Sequence, residues 1–165
     1  MSTMKRTLGK SGIEISPMGL GCWAIGGPFL LFGKPDGWGD IDDAESIRAI
    51  HAAIDLGINF FDTADAYGTG HSEEVLGKAL KGMRDKVVIA TKGGYVYNTE
   101  KKELTGEDTS PAYFRKALEA SLKRLGTDYI DLYQVHNWVV PEENVEPLFN
   151  EFDRFVAEGK IRAYG

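Results

Sequence analysis

One cysteine stands in the whole sequence, Cys22, so no disulfide can form within the chain. Histidine is almost as scarce. His51, His71 and His136 are scattered, without H-x3-H spacing or cysteine pairs beside them, which excludes a structural zinc site of ordinary spacing. No apolar run approaches the roughly 18 to 20 residues that span a bilayer, and the opening Met-Ser-Thr-Met-Lys-Arg-Thr lacks the apolar core of a signal peptide. A cytoplasmic protein without membrane contact is the expectation. Basic charge is in deficit as well: 19 Lys and Arg against 25 Asp and Glu give a net charge of −6. Such a chain has no electrostatic reason to bind nucleic acid or an anionic membrane, and neither is expected as a partner. What remains is 165 residues, 42% apolar and 27% charged, the makeup of one globular domain with material for a real core.

Short apolar runs alternate with longer stretches of helical period almost throughout, the signature of a parallel α/β fold. Residues 5–16 form two short alternating runs bracketing a turn at Gly9 and Gly12, which predicts a β-hairpin ahead of the main fold. A first strand is expected at 18–22. Residues 24–42 turn to Gly, Pro and aromatics and read as a long loop without a helix or a long strand; loops of that length are usually functional. Helices are predicted at 42–56, closed by Gly57, and at 72–80, with Ser72 as capping residue. A third follows Ser110-Pro111 over 112–125, and a fourth begins at Glu142 or Asn144 and ends at Glu158. Strands are predicted at 58–62, 86–91, 129–135 and 160–164. About four β/α units and the start of a fifth strand result. By length alone an open doubly wound sheet fits, because a closed (β/α)8 barrel usually needs about 250 residues.

Gly19-Leu20-Gly21-Cys22-Trp23-Ala24 matches the dinucleotide pattern G-x-G-x-x-A, but the residues after it are too rich in Gly, Pro and Phe to open the helix that must receive the pyrophosphate. A phosphate-binding P-loop and a G-x-S-x-G nucleophile elbow are absent from the sequence. Four polar residues then stand out at the carboxyl ends of predicted strands or just beyond: Asp62 and Tyr67, Lys92, and His136. Singly they read as a turn acid, a loop aromatic, a solvated strand end and a hydrogen-bonded histidine. In a barrel those strand ends converge on one face, and together they form a set with a specific use. Carbonyl reduction needs a proton for the oxygen as hydride reaches the carbon, and a free phenol of pKa near 10 is a sluggish acid. An ammonium beside a phenol favours the phenolate, a carboxylate fixes that ammonium, and an imidazole orients the carbonyl oxygen.

The stretch from Asn59 to Leu80, which includes Asp62-Thr-Ala-Asp-Ala-Tyr67-Gly, is followed by Ala90-Thr-Lys92-Gly93 and then by Ser121 to His136. Together these three resemble the aldo-keto reductase family, and the segment from Leu8 to Gly21 resembles its amino-terminal hairpin and first strand. The resemblance reverses the preference drawn from length. It implies a (β/α)8 barrel of the TIM-barrel type, present here to about its first half, and NADP(H)-dependent interconversion of carbonyls and alcohols. It implies a catalytic tetrad on Asp62, Tyr67, Lys92 and His136, with Gly21, Cys22 and Trp23 joining Asp62 at the nicotinamide end of the cofactor. The second half of such a barrel supplies the remaining nicotinamide contacts and the basic loop for the adenosine phosphate. A small carbonyl compound is the expected substrate, its identity set by loops around Trp23, 24–42, 94–108 and Trp138. Two further readings follow from the same resemblance: a cofactor-binding subunit without catalysis, and self-association of half barrels through their open edges.

Overall fold

The computed structural model describes residues 4–136 and 139–165; Trp138, expected above among the specificity residues, lies outside them. The chain opens with an antiparallel hairpin, β1 (Arg6–Thr7) against β2 (Glu14–Ile15). Five strands then build a parallel sheet: β3 (Gly19–Gly21), β6 (Phe60–Asp62), β7 (Val88–Gly93), β10 (Ile130–Val135) and β11 (Ile161–Tyr164). Their spatial order equals their chain order. Between them run α1 (Asp43–Asp55), α2 (His71–Ala79), α3 (Pro111–Leu125) and α4 (Glu142–Ala157). This is a partial (β/α)8 barrel, built from its opening β/α units.

Local chemistry sets the helix ends. Asp42 caps α1, its carboxylate accepting from the Ala44 and Glu45 amides at 2.7 and 3.2 Å. Ser110 caps α3 through the Tyr113 amide, Pro111 takes the first helical position, and Gly126 ends the helix at φ 64°. Ser72 does not cap α2; the left-handed Gly70 precedes that helix, and the Ser72 hydroxyl is spent elsewhere, as described below.

Side chains alternate across the sheet. Phe61, Ile89 and Tyr133 face the helices, where Ile50, Leu76, Phe114, Leu118, Phe152 and Phe155 pack on them with almost no exposure. Burying each such side chain stabilises the fold by about 1.5–3 kcal/mol. The opposite parity places Asp62, Ala90 and Lys92 on the concave face.

The expected loops at 24–42 and 94–108 hold a second sheet. β4 (Phe29–Leu31) and β5 (Lys34–Asp36) make a hairpin, β8 (Tyr95–Asn98) and β9 (Glu103–Glu107) another, and β4 pairs with β9 in parallel. The first hairpin turns on two residues, Phe32 and Gly33, both at positive φ. That is the backbone of a primed two-residue turn, but with phenylalanine where asparagine or glycine is usual, so the sequence signal is hidden. Pro35 is accommodated because β5 lies at one edge of this sheet.

Candidate active site

Asp62 ends β6, Lys92 sits one residue from the end of β7, and His136 follows β10 directly. Tyr67 stands in a tight turn, Tyr67–Gly70, in which Gly68 takes φ 60°. A Cβ at Gly68 would lie 1.9 Å from the Gly26 carbonyl oxygen, so only glycine lets this turn dock on the Ala24–Gly26 turn. That docking brings Trp23 beside Tyr67, ring centroids 6.4 Å apart.

The four side chains converge. The Lys92 ammonium donates to Asp62 Oδ1 at 2.7 Å, to the Thr63 carbonyl at 2.8 Å and to the Tyr67 hydroxyl oxygen at 3.3 Å. Lys92 is largely buried and Asp62 half-buried, so the pair is desolvated enough to matter electrostatically. The His136 ring stands edge-on to Tyr67 at 5.6 Å and to Tyr95 at 5.2 Å. Burial, then the nearby Lys92 charge, brings the His136 pKa down to about 4 against an opposing pull from Asp62, which keeps the ring neutral at physiological pH. Its Nδ1 is buried without a hydrogen-bond partner among the described residues.

The positions expected at a nicotinamide differ in how they present themselves. Trp23 is 40% exposed and packs edge-on to Trp38 at 5.7 Å. Gly21 is open: a Cβ placed there would meet no heavy atom within 4 Å among the described residues. The Cys22 side chain is fully buried, its thiol reaching the Leu20 carbonyl at 3.6 Å; burial, then Asp62, pushes that thiol up to about 12. The Cys22 amide donates to the Asp62 carbonyl at 2.8 Å, so Cys22 joins β3 to β6 and presents neither its sulfur nor its backbone N–H to the opening.

Several residues that hold the site have no motif to reveal them. Ser72 donates to the Cys22 carbonyl at 2.6 Å and shares a 2.9 Å hydrogen bond with Thr63, tying the end of β3 to the segment after β6. Buried Glu73 accepts from Thr91 at 2.6 Å and from Arg124 at 2.7 Å, bolting α2 to β7 and α3. In the sequence Ser72 reads as a helix cap and Glu73 as an ordinary first-turn acid.

Residues 17–165 match the profile of the Aldo/keto reductase family. The chain belongs to that family. It is 44% identical over 161 residues to Aldo-keto reductase YhdN of Bacillus subtilis, a match covering 96% of this chain and 45% of the relative. Among solved structures it is similar to aldo-keto reductase AKR11C1 from Bacillus halodurans (holo form), with TM-score 0.85 and 36% identity, over 99% of this chain and 49% of that one. It is also similar to an aldo-keto reductase from Klebsiella pneumoniae solved in complex with NADPH, with TM-score 0.73 and 32% identity, over 98% of this chain and 49% of that one. The chain thus spans about half the length of the relatives it matches.

Proposed function

We propose that this chain carries the proton-donating and carbonyl-orienting part of an NADP(H)-dependent reductase site that converts aldehydes or ketones to alcohols. The observation that carries the reading is the Lys92 ammonium, held at once by Asp62 and within 3.3 Å of the Tyr67 hydroxyl, at the carboxyl ends of parallel strands. The residues suit a nicotinamide: an exposed indole at Trp23 gives a flat apolar wall, Gly21 leaves the backbone open, and the Asp62–Lys92 pair is already neutralised. NADPH bound there supplies the hydride. The NADPH complex of the Klebsiella relative supports the choice of cofactor.

Tyr67 delivers the proton to the carbonyl oxygen, and Lys92 stabilises the negative charge left on the phenol. Asp62 keeps the ammonium from swinging away. Burial and Lys92 hold the His136 ring neutral, and it donates a hydrogen bond to the substrate oxygen. The site is tested by completing the barrel with the carboxyl-terminal half of the Bacillus subtilis relative and following NADPH consumption with simple aldehydes. Lys92→Met is expected to lower kcat by roughly 10²-fold or more, in line with loss of a preorganised electrostatic group. Equal rates would remove Lys92 from the chemistry.

A second observation concerns assembly. Among the described residues, strands β3 and β11 each have one sheet neighbour, and Phe60 and Leu132 on the concave face are only partly covered. Unpaired edges and a half-covered apolar face support pairing of two copies of the 165-residue chain.

A further inference from the structure

Against His136 stands an aromatic ring that the chemistry above does not use. The imidazole meets two phenols edge-on: Tyr67, with ring centroids 5.6 Å apart and planes at 84°, and Tyr95, at 5.2 Å and 83°. Both lie in the range where aromatic rings attract as T-shaped pairs, a geometry that specifies an angle as well as a distance. The backbone of His136 is fixed separately, its amide donating to the Gly93 carbonyl at 2.9 Å. That bond leaves the side-chain torsions free. Since Nδ1 has no hydrogen-bond partner among the described residues, the plane of the ring is set there by the two aromatic contacts. A group that must aim at a substrate oxygen depends on such a plane, because small errors of placement cost rate steeply.

Tyr95 is mounted on the second sheet, outside the barrel strands. It opens β8 directly after Gly94, whose φ of 128° turns the chain off the end of β7 in a conformation that a side chain would strain. Two bonds hold that corner: the Tyr113 hydroxyl on α3 donates to the Tyr95 carbonyl, and the Asp108 amide donates to the Gly94 carbonyl at 2.9 Å. The Tyr95 side chain packs against the apolar cluster of Phe29, Ala66 and Leu104, and Ala66 is the residue before Tyr67. We propose that Tyr95 is a positioning residue for His136: presented by the second sheet, its ring holds the imidazole edge-on to Tyr67, at the angle from which it meets the substrate oxygen. The consequence for turnover rests on the reading above that His136 orients the carbonyl; the placement of the ring does not.

The contact is one of rings, so the hydroxyl of Tyr95 is dispensable and the ring is not. In NMR spectra of the 165-residue chain, Tyr95→Leu is expected to move the His136 ring-proton signals toward those of a free imidazole, whereas Tyr95→Phe leaves them near their wild-type positions. In the barrel completed with the Bacillus subtilis half, Tyr95→Leu should lower kcat for aldehyde reduction by roughly tenfold, with KM and the Kd for NADPH each within about threefold, and Tyr95→Phe should restore kcat to within about twofold of wild type. Ring signals of His136 that Tyr95→Leu leaves in place overturn the proposal. So does a loss confined to KM, which would make Tyr95 a wall for substrate only, or a kcat that Tyr95→Phe fails to restore. If Tyr95→Leu does not fold, Tyr95→Met, whose longer side chain adapts to the space against the cluster, is read by the same criteria. Should the completed barrel reduce no carbonyl while the ring signals behave as stated, the enzymatic reading falls and the placement of His136 by Tyr95 stands.

Discussion

At the scale of single residues, the Lys92 ammonium and the Asp62 carboxylate offset each other beside the Tyr67 phenol. Lys92 is shared among a carboxylate, a carbonyl and a phenol, and that sharing fixes its position more tightly than any one contact would. His136 is the complementary case, a ring whose charge is suppressed by burial and by Lys92. Its ring resonances are expected to stay in the neutral form until pH falls to about 4, against an ordinary value of 6.5, in an NMR titration. Because the folded-state pKa is depressed, its contribution to stability is present above pH 6.5 and is lost as pH falls through about 4. A midpoint near 6.5 would mean that the imidazole is solvated and that its placement against Tyr67 and Tyr95 is wrong.

At the scale of elements, helix–helix contact decides where the Tyr67 turn and α2 can sit. A Cβ at Gly77 would come within 2.6 Å of the Arg124 carbonyl oxygen and 2.8 Å of Leu125 backbone, so α2 lies directly on the last turn of α3. Gly77→Val is expected to push the helices apart and cost about 1–3 kcal/mol, read as a lower urea midpoint at unchanged slope. An unchanged midpoint would show that the contact is slack. The parallel β/α elements are legible in the sequence because their signals are local: Asp42 and Ser110 as caps, Gly126 as a stop, apolar runs for β7 and β10. The second sheet is not. Its strands are three to five residues long, β4 meets a partner more than seventy residues away, and its turn uses Phe32 at positive φ. Ser72 misleads for a related reason, since an N-cap and a tertiary hydrogen bond look alike in sequence, and the Cys22 carbonyl that claims its hydroxyl is fifty residues distant. The four polar residues of the site are legible because each stands at the carboxyl end of a strand or within a few residues beyond it. The polar pair behind the Tyr67 turn shows no spacing rule in the sequence: Glu73 lies on α2, and Arg124, which packs against Gly70, lies on α3.

At the scale of the whole molecule, the described residues contain no helix long and apolar enough to cross a membrane, and the parallel sheet ends at β3 on one side and β11 on the other. If those edges and the concave face are satisfied by a second copy, sedimentation of the 165-residue chain at micromolar concentration should give twice its 18.2 kDa mass; a monomer mass would contradict the pairing. Such pairing bears on how the site is enclosed, whereas the central claim is that Tyr67, tuned by Lys92 and Asp62, delivers the proton. The measurement that meets this claim most directly compares Tyr67 with Tyr67→Phe in the barrel completed with the Bacillus subtilis half, recording both kcat for aldehyde reduction and the Kd for NADPH. The prediction is a kcat lower by about 10²-fold or more, with Kd within about twofold, because the phenol oxygen acts on the reacting carbonyl. An unchanged kcat, or a loss confined to NADPH affinity, would contradict it.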